Sequence, residues 1–217
     1  MSGYTLVIGN KNYSSWSLRP WLVMKHLGLE FDEVVIALFQ GDFKDKIFAH
    51  SPAGKVPILK AGGVDVWDSL AICEFLADQY PDARLWPENQ AEKALARSIS
   101  YEMHSGFFTI RNEMPMNIRR KIDGFKISAD CQGEIDRVKE IWTECLSKKT
   151  QEGPFLFGQF SIADAMYAPI VWRFNSYGVQ LDGVLADYSH AMRSMDIMQD
   201  WVAAAKDEEW VIDIAEV

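Results

Sequence analysis

Tyr13-Ser14-Ser15-Trp16-Ser17-Leu18-Arg19-Pro20-Trp21 is the stretch on which both fold and chemistry turn. A short apolar run, Tyr4-Thr5-Leu6-Val7-Ile8, precedes it and predicts a strand. Trp21-Leu22-Val23-Met24-Lys25-His26-Leu27 follows, and with Gly28 behind it predicts a helix with a glycine stop. Three hydroxyls, those of Ser14, Ser15 and Ser17, therefore crowd a strand-to-helix junction. Such a junction offers free backbone N–H groups and the positive end of the helix dipole. Ser is a preferred N-cap, but one cap uses one serine.

Working outward, strand and helix signals alternate through residues 1–80. Residues 31–37 (FDEVVIA) are rich in β-branched side chains and predict a second strand. Residues 41–50 are polar with Phe43, Ile47 and Phe48 interspersed, and predict a short helix. Residues 55–60 (KVPILK) predict a strand interrupted by Pro57, which Ala61-Gly62-Gly63 turns back into Val64-Asp65-Val66-Trp67. After Asp68-Ser69, apolar Ile72, Phe75, Leu76 and Tyr80 recur at helical spacing. The order is βαβα, which needs a right-handed crossover between parallel strands, then ββα. Pro57 cannot donate to a ladder, so it belongs at an edge, bulge or turn. A cis Val56–Pro57 bond is one way to seat it, and the residues alone leave that open.

Residues 81–90 open with Pro81, contain Pro87 and are otherwise largely polar, the profile of a linker. Beyond them strand signals stop. Residues 91–113 read as one helical stretch ending before Pro115. Residues 128–149 carry Ile135, Val138, Ile141, Trp142, Cys145 and Leu146 on one face, a core stripe. A further helix starts near Ser161, and a last one runs from about Asp196 to Lys206. The expected architecture is an α/β domain over 1–80, a linker over 81–90 and an all-α domain over 91–217.

Composition narrows the function. With 48% hydrophobic and 24% charged residues the 217-residue chain reads as a soluble globular protein. A net charge of -9 argues against a nucleic-acid partner, and Arg119-Arg120-Lys121 reads as a solvated helix face. No apolar run approaches the ~20 residues of a membrane span, and no signal-peptide pattern is expected at the N-terminus. Cys73, Cys131 and Cys145 show no C-x-x-C spacing, which suits a reducing, cytoplasmic setting. His26, His50, His104 and His190 are scattered, so no metal site is expected.

Four motifs together carry a family resemblance: Ser14-Ser15-Trp16-Ser17-x-Arg19; residues 51–59 (SPAGKVPIL); Asp68-Ser69-Leu70-Ala71-Ile72; and Phe157-Gly158-x-x-Ser161-x-Ala163-Asp164. In this order, spanning both halves of the chain, they resemble the cytosolic glutathione S-transferases of the serine type. The first is most similar to the zeta class, which includes maleylacetoacetate isomerases, although Trp16 stands where that class usually has Cys. The zeta pattern also has an arginine near the place of Ser176, whereas this chain has Arg173 about a turn earlier. The resemblance implies a thioredoxin-like βαβαββα domain that binds glutathione, a helical domain that walls the second substrate, a homodimer, and a cis bond at Pro57.

The resemblance also assigns roles. Ser14 is the expected thiolate donor, with Ser15 nearby. A free thiol titrates near ~8.5, and a helix start plus hydroxyl donors lower that. Val56 is expected to pair with the cysteinyl backbone of glutathione as an added strand does. Lys55 is a candidate for the glycyl carboxylate, and Asp68 and Ser69 for the γ-glutamyl ammonium and carboxylate. Candidates for the second-substrate pocket are Trp16, Phe107, Phe108, Arg111, Met114 and Arg173. Ser161 and Asp164 form an S-x-x-D capping box and are structural, as is Pro57. The expected activity is conjugation of glutathione, as co-substrate, to small electrophiles in detoxification. Two alternatives stand beside it: glutathione-dependent cis–trans isomerisation of the maleylacetoacetate kind, and a non-catalytic glutathione-binding or structural protein.

Overall fold

The computed structural model describes residues 3–122 and 124–216. Strand β1 (Tyr4–Gly9) is central and runs parallel to β2 (Asp32–Ile36). On its other side lies antiparallel β3 (Ile58–Ala61), which pairs with antiparallel β4 (Val64–Val66), giving the order β2-β1-β3-β4. Leu6 and Ile8 face the large core with Leu18 and Leu22, whereas Val7 faces a small one with Ile36, Ile47 and Ile58. A strand covered on both faces needs an unbroken apolar run, and Leu6-Val7-Ile8 supply one.

Helices α1 (Ser15–His26), α2 (Phe43–Phe48) and α3 (Ser69–Gln79) complete the βαβαββα unit. Two boundaries differ from expectation. Helix α1 begins directly after Ser14, more than a turn before Trp21, and runs through Pro20. Strand β3 starts at Ile58 rather than Lys55, because Pro57 has no N–H for the ladder; the Val56–Pro57 bond is cis, as the resemblance implies.

The rest of the chain is helical: α4 (Gln90–Ser105), α5 (Phe108–Glu113), α6 (Ala129–Lys148), α7 (Ile162–Ser176), α8 (Val184–Ser194) and α9 (Asp196–Asp207). The single stretch expected over 91–113 is two helices. Gly106 ends α4, and Phe107 takes a left-handed φ of 58° before α5 begins. Helix α8 goes beyond the expected set.

In α7 every residue except Asn175 is buried, and α1 packs against both α7 and α3. Helix α1 thus joins the sheet unit to the helical unit through Leu18, Leu22 and Val23, each worth about 2 kcal/mol on burial. Cys73, Cys131 and Cys145 are free and buried, and burial pushes the Cys131 thiol up to about 11 and that of Cys145 up to about 12. None of the three is a reactive thiol, in keeping with packing roles.

Candidate active site

The site starts where β1 ends. A Cβ at residue 9 would lie 2.5 Å from Leu38 Cδ1 and 3.2 Å from Ser14 Cβ, so glycine lets the Leu38 side chain and the next loop pack this closely without displacement. The Asn10 carbonyl accepts from the Tyr13 amide at 3.2 Å and the Ser14 amide at 2.8 Å, while Asn10 Oδ1 accepts from the Leu38 amide at 2.7 Å. This fixes Ser14 at the N-cap position of α1, yet its hydroxyl caps nothing. Instead Ser14 Oγ shares a 2.7 Å hydrogen bond with Ser17 Oγ, which accepts from the Gly9 amide at 3.1 Å. Ser14 and Ser17 are both buried.

Ser14 lies on the wall of a cavity of about 810 Å³ between the sheet unit and the helical unit. From the expected set the cavity gathers Ser14, Ser15, Trp16, Lys55, Val56, Pro57, Asp68, Ser69, Arg111 and Arg173. Phe107, Phe108 and Met114 do not line it. Phe107 and Met114 are core residues, and Phe108 is 65% exposed. The break at Gly106–Phe107 explains this. On one straight helix residues 104, 107, 108 and 111 would share a face. The left-handed residue re-phases α5, so Arg111 keeps the cavity while both phenylalanines lose it.

At the start of α3, Asp68 Oδ1 caps the helix, accepting from the amides of Leu70 at 3.1 Å and Ala71 at 3.3 Å. Asp68 Oδ2 is left facing His104 Nε2 at 2.8 Å. Beside it the Ser69 hydroxyl is buried with no hydrogen-bond partner among the described residues. An orphaned hydroxyl at a helix start, next to a carboxylate, suits a ligand that carries a carboxylate and an ammonium together. Val56 lies ahead of the β3 ladder, so the sheet pairing does not engage it. The Val56–Pro57 and Trp67–Asp68 peptide bonds on this wall are both cis.

The opposite wall is cationic. The Trp16 ring meets two guanidinium groups, Arg19 at 4.4 Å and Arg111 at 4.7 Å from its centroid. Arg19 is wholly buried, with Nε donating to the Met166 carbonyl at 3.2 Å. Burial, and then the charges of Arg111 and Arg173, hold its pKa well below the usual range. Arg111 Nε donates to the Gly106 carbonyl at 3.0 Å, and its Nη2 bonds the Met103 carbonyl. Arg173 Nε donates to the Met114 carbonyl at 2.7 Å, and burial aided by Arg111 pushes its pKa down to about 9. Arg111 and Arg173 are held by carbonyls, while both Nη atoms of Arg19 are buried with no hydrogen-bond partner among the described residues, and the three neighbouring guanidiniums leave a positive field that an anion relieves. Ser176, by contrast, is buried and donates to the Asn117 carbonyl at 3.0 Å.

The sequence reading misses two further parts of the site. One is His104, whose position seven residues before Arg111 was the available signal. The other is residues 208–216, which cross from the helical unit back over the Tyr13 loop. Glu208 accepts from the amides of Lys11 at 2.6 Å and Asn12 at 3.0 Å. Arg119 Nη2 bonds the Tyr13 hydroxyl at 2.8 Å and the Trp210 carbonyl at 2.9 Å. Arg120 bonds the Glu216 carbonyl at 2.7 Å. The basic cluster read as a solvated face therefore serves in part to hold this strap. Ile212, Ile214 and Ala215 line the cavity from it.

A glutathione-transferase fold is what this sheet unit, its cavity and its helical partner define. Residues 13–79 match the glutathione S-transferase N-terminal domain, and residues 117–205 match the C-terminal domain of the same family. A glutathione S-transferase 1 from Dianthus caryophyllus is 30% identical over 77% of this chain and 76% of its own length. A probable maleylacetoacetate isomerase from Caenorhabditis elegans is 29% identical over 77% of each chain. A Burkholderia glutathione transferase homologue, solved with bound glutathione, superposes with a TM-score of 0.72 at 21% identity, over 96% of this chain and 100% of that one. The chain belongs to the glutathione S-transferase family.

Proposed function

We propose that the protein conjugates glutathione to small electrophiles, with Ser14 as hydrogen-bond donor to the glutathione thiolate. The observation that carries this reading is the Ser14 hydroxyl, which sits on the cavity wall at a helix start without serving as its cap. A hydroxyl there favours the charged sulfur and lowers its pKa. Asp68 and Ser69 take the γ-glutamyl end, the Val56 backbone takes the cysteinyl residue, and Lys55 takes the glycyl carboxylate. The electrophile then lies against Trp16, Arg111 and Arg173.

The arginines support a second reading, glutathione-dependent isomerisation of a carboxylate-bearing substrate. Arg173 brings to the cavity a cation that the zeta pattern places near Ser176. The family resemblance further supports a cytoplasmic homodimer acting in detoxification, divided into a glutathione-binding domain over 1–80, a linker over 81–90 and a helical domain over 91–217.

The test is retention on immobilised glutathione, followed by conjugation assays with neutral and carboxylate-bearing electrophiles. Turnover with retention is the expected result. Retention without turnover would leave a binding protein, and no retention would overturn the reading altogether. Ser14→Ala is expected to keep glutathione binding while raising the pKa of the bound thiol.

A further inference from the structure

His104, in the last turn of α4, reaches across from the helical unit to the start of α3. Its Nε2 lies 2.8 Å from Asp68 Oδ2, and its ring stands edge-on to Trp16 at a centroid distance of 5.3 Å. His104, Asp68, Ser69 and Trp16 all line the same cavity. Facing a carboxylate, Nε2 carries the ring hydrogen, which makes Nδ1 the bare nitrogen of a neutral ring. Nδ1 is buried and has no hydrogen-bond partner among the described residues.

The carboxylate divides its work between two directions. Asp68 Oδ1 is fixed by the Leu70 and Ala71 amides. That leaves Oδ2 as the oxygen for a ligand ammonium, and His104 is the side chain that holds it. We infer that His104 is a positioning residue for glutathione, donating from Nε2 to Asp68 Oδ2 so that this oxygen stays aimed at the γ-glutamyl ammonium. The inference deepens the reading of Asp68 given above and rests on it. It makes recognition of the peptide a joint act of both units, since a residue of the helical unit then orients a residue of the sheet unit.

The groups around the ring agree with a neutral donor. Burial lowers the His104 pKa, Asp68 acts the other way, and Arg19 and Arg111 lower it further, with a net downward result. A neutral imidazole orients the carboxylate without competing with the ammonium as a second cation would. Trp16 contributes packing to the ring edge and no charge.

The test compares glutathione with glutaryl-cysteinyl-glycine, which is the same peptide without the α-amino group. Binding of each is titrated to the full-length protein and to three variants. His104→Phe and His104→Met remove the donor at similar volume, and His104→Gln keeps an N–H near the place of Nε2. The wild type is expected to prefer glutathione by about tenfold, the worth of a hydrogen-bonded charge pair at a partly exposed site. Phe and Met variants are expected to lose most of that preference while binding the deaminated peptide normally, and the Gln variant to retain it. An unchanged preference in the Phe and Met variants overturns the inference, as does an equal loss for both peptides, which is what a purely structural role would produce. A wild type that binds neither peptide overturns the functional reading itself. One that binds both equally removes Asp68 from the ammonium site, and His104 with it.

Discussion

The hydroxyl oxygens of Ser14 and Ser17 lie 2.7 Å apart, and the Gly9 amide donates to the second of them from 3.1 Å. Either hydroxyl can be the donor in this pair, but once Ser14 gives its hydrogen to a thiolate only one direction remains. With one lone pair of Ser17 Oγ taken by the Gly9 amide, the Ser17 hydrogen is free to donate to Ser14. Ser14 then has its own hydrogen to give to a thiolate, and the linked bonds polarise one another. Ser17→Ala is therefore expected to raise the pKa of enzyme-bound glutathione by about half a unit to one unit, the net worth of one hydrogen bond. Ser17→Thr, which keeps the hydroxyl, should restore it. The thiolate absorbance of the glutathione complex, followed against pH, is the measurement. A titration curve in Ser17→Ala that matches the wild type would remove Ser17 from the mechanism.

Arg111 stacks on Trp16 at 4.7 Å and is tied down by the Gly106 and Met103 carbonyls. Neither carbonyl neutralises its charge, and Arg19 and Arg173 add to the same field. An electrophile bearing a carboxylate should therefore react faster than its methyl ester. Arg111→Met keeps the length of the side chain and removes the charge. It is expected to cut kcat/KM for the acid about tenfold relative to the ester, the scale of one charge-assisted hydrogen bond. Parallel kinetics on an acid and ester pair decide this, and equal losses on both would make Arg111 a packing residue only.

Much of this molecule is local, and that part is legible in the sequence. The apolar run before Gly9, the hydroxyls after it, the cap at Asp68 and the box at Ser161 and Asp164 each act within a few residues. What sequence reading misses is made by contacts distant along the chain. Nothing near Glu208 announces that its carboxylate will accept from the Lys11 and Asn12 amides. Asp68 and His104 are likewise joined only after α4 has packed against the sheet unit. The α4–α5 break is an intermediate case. Gly106 is a visible weak point, but the left-handed turn falls on Phe107, whose ring is then carried into the core by tertiary packing. That one residue decides which side chains of residues 104–111 reach the cavity.

The strap over residues 208–216 offers a separate test. Ile212 is buried and packs with Tyr13 and Ala215, while Leu38 packs against the same cluster. It therefore supports the residue next to Ser14 as well as lining the cavity. Ile212→Ser removes most of that apolar contact, at a cost of about 2 to 3 kcal/mol by analogy with core truncations. The strap is expected to loosen without unfolding the helices. KM for apolar electrophiles should rise several-fold, and cleavage within residues 208–216 by a nonspecific protease should become faster. An unchanged proteolysis rate would show that Glu208, Arg119 and Arg120 suffice to hold the strap.

Asp164 is wholly buried at the start of α7, and it gathers three donors. Oδ1 accepts from the Leu156 amide at 3.0 Å, and Oδ2 accepts from the Ser161 amide and the Ser161 hydroxyl, each at 2.8 Å. Asp164→Ala strands all three donors and should cost about 3 kcal/mol or more, whereas Ser161→Ala should cost about 1 kcal/mol. Burial nevertheless outweighs the donors and raises the Asp164 pKa from 3.8 to about 6. A carboxyl whose folded pKa is raised holds its proton in the native state after the unfolded chain has released it. Its contribution to stability is thus complete below pH 3.8 and is lost as pH rises through about 6. Asp164→Asn cannot titrate at this position. The melting temperature of the wild type minus that of Asp164→Asn is therefore expected to fall between pH 4 and pH 7 and to level off above. Thermal unfolding of both proteins across that range checks the sign, and a difference that stays flat or grows with pH would show that the donors, rather than burial, control this carboxylate.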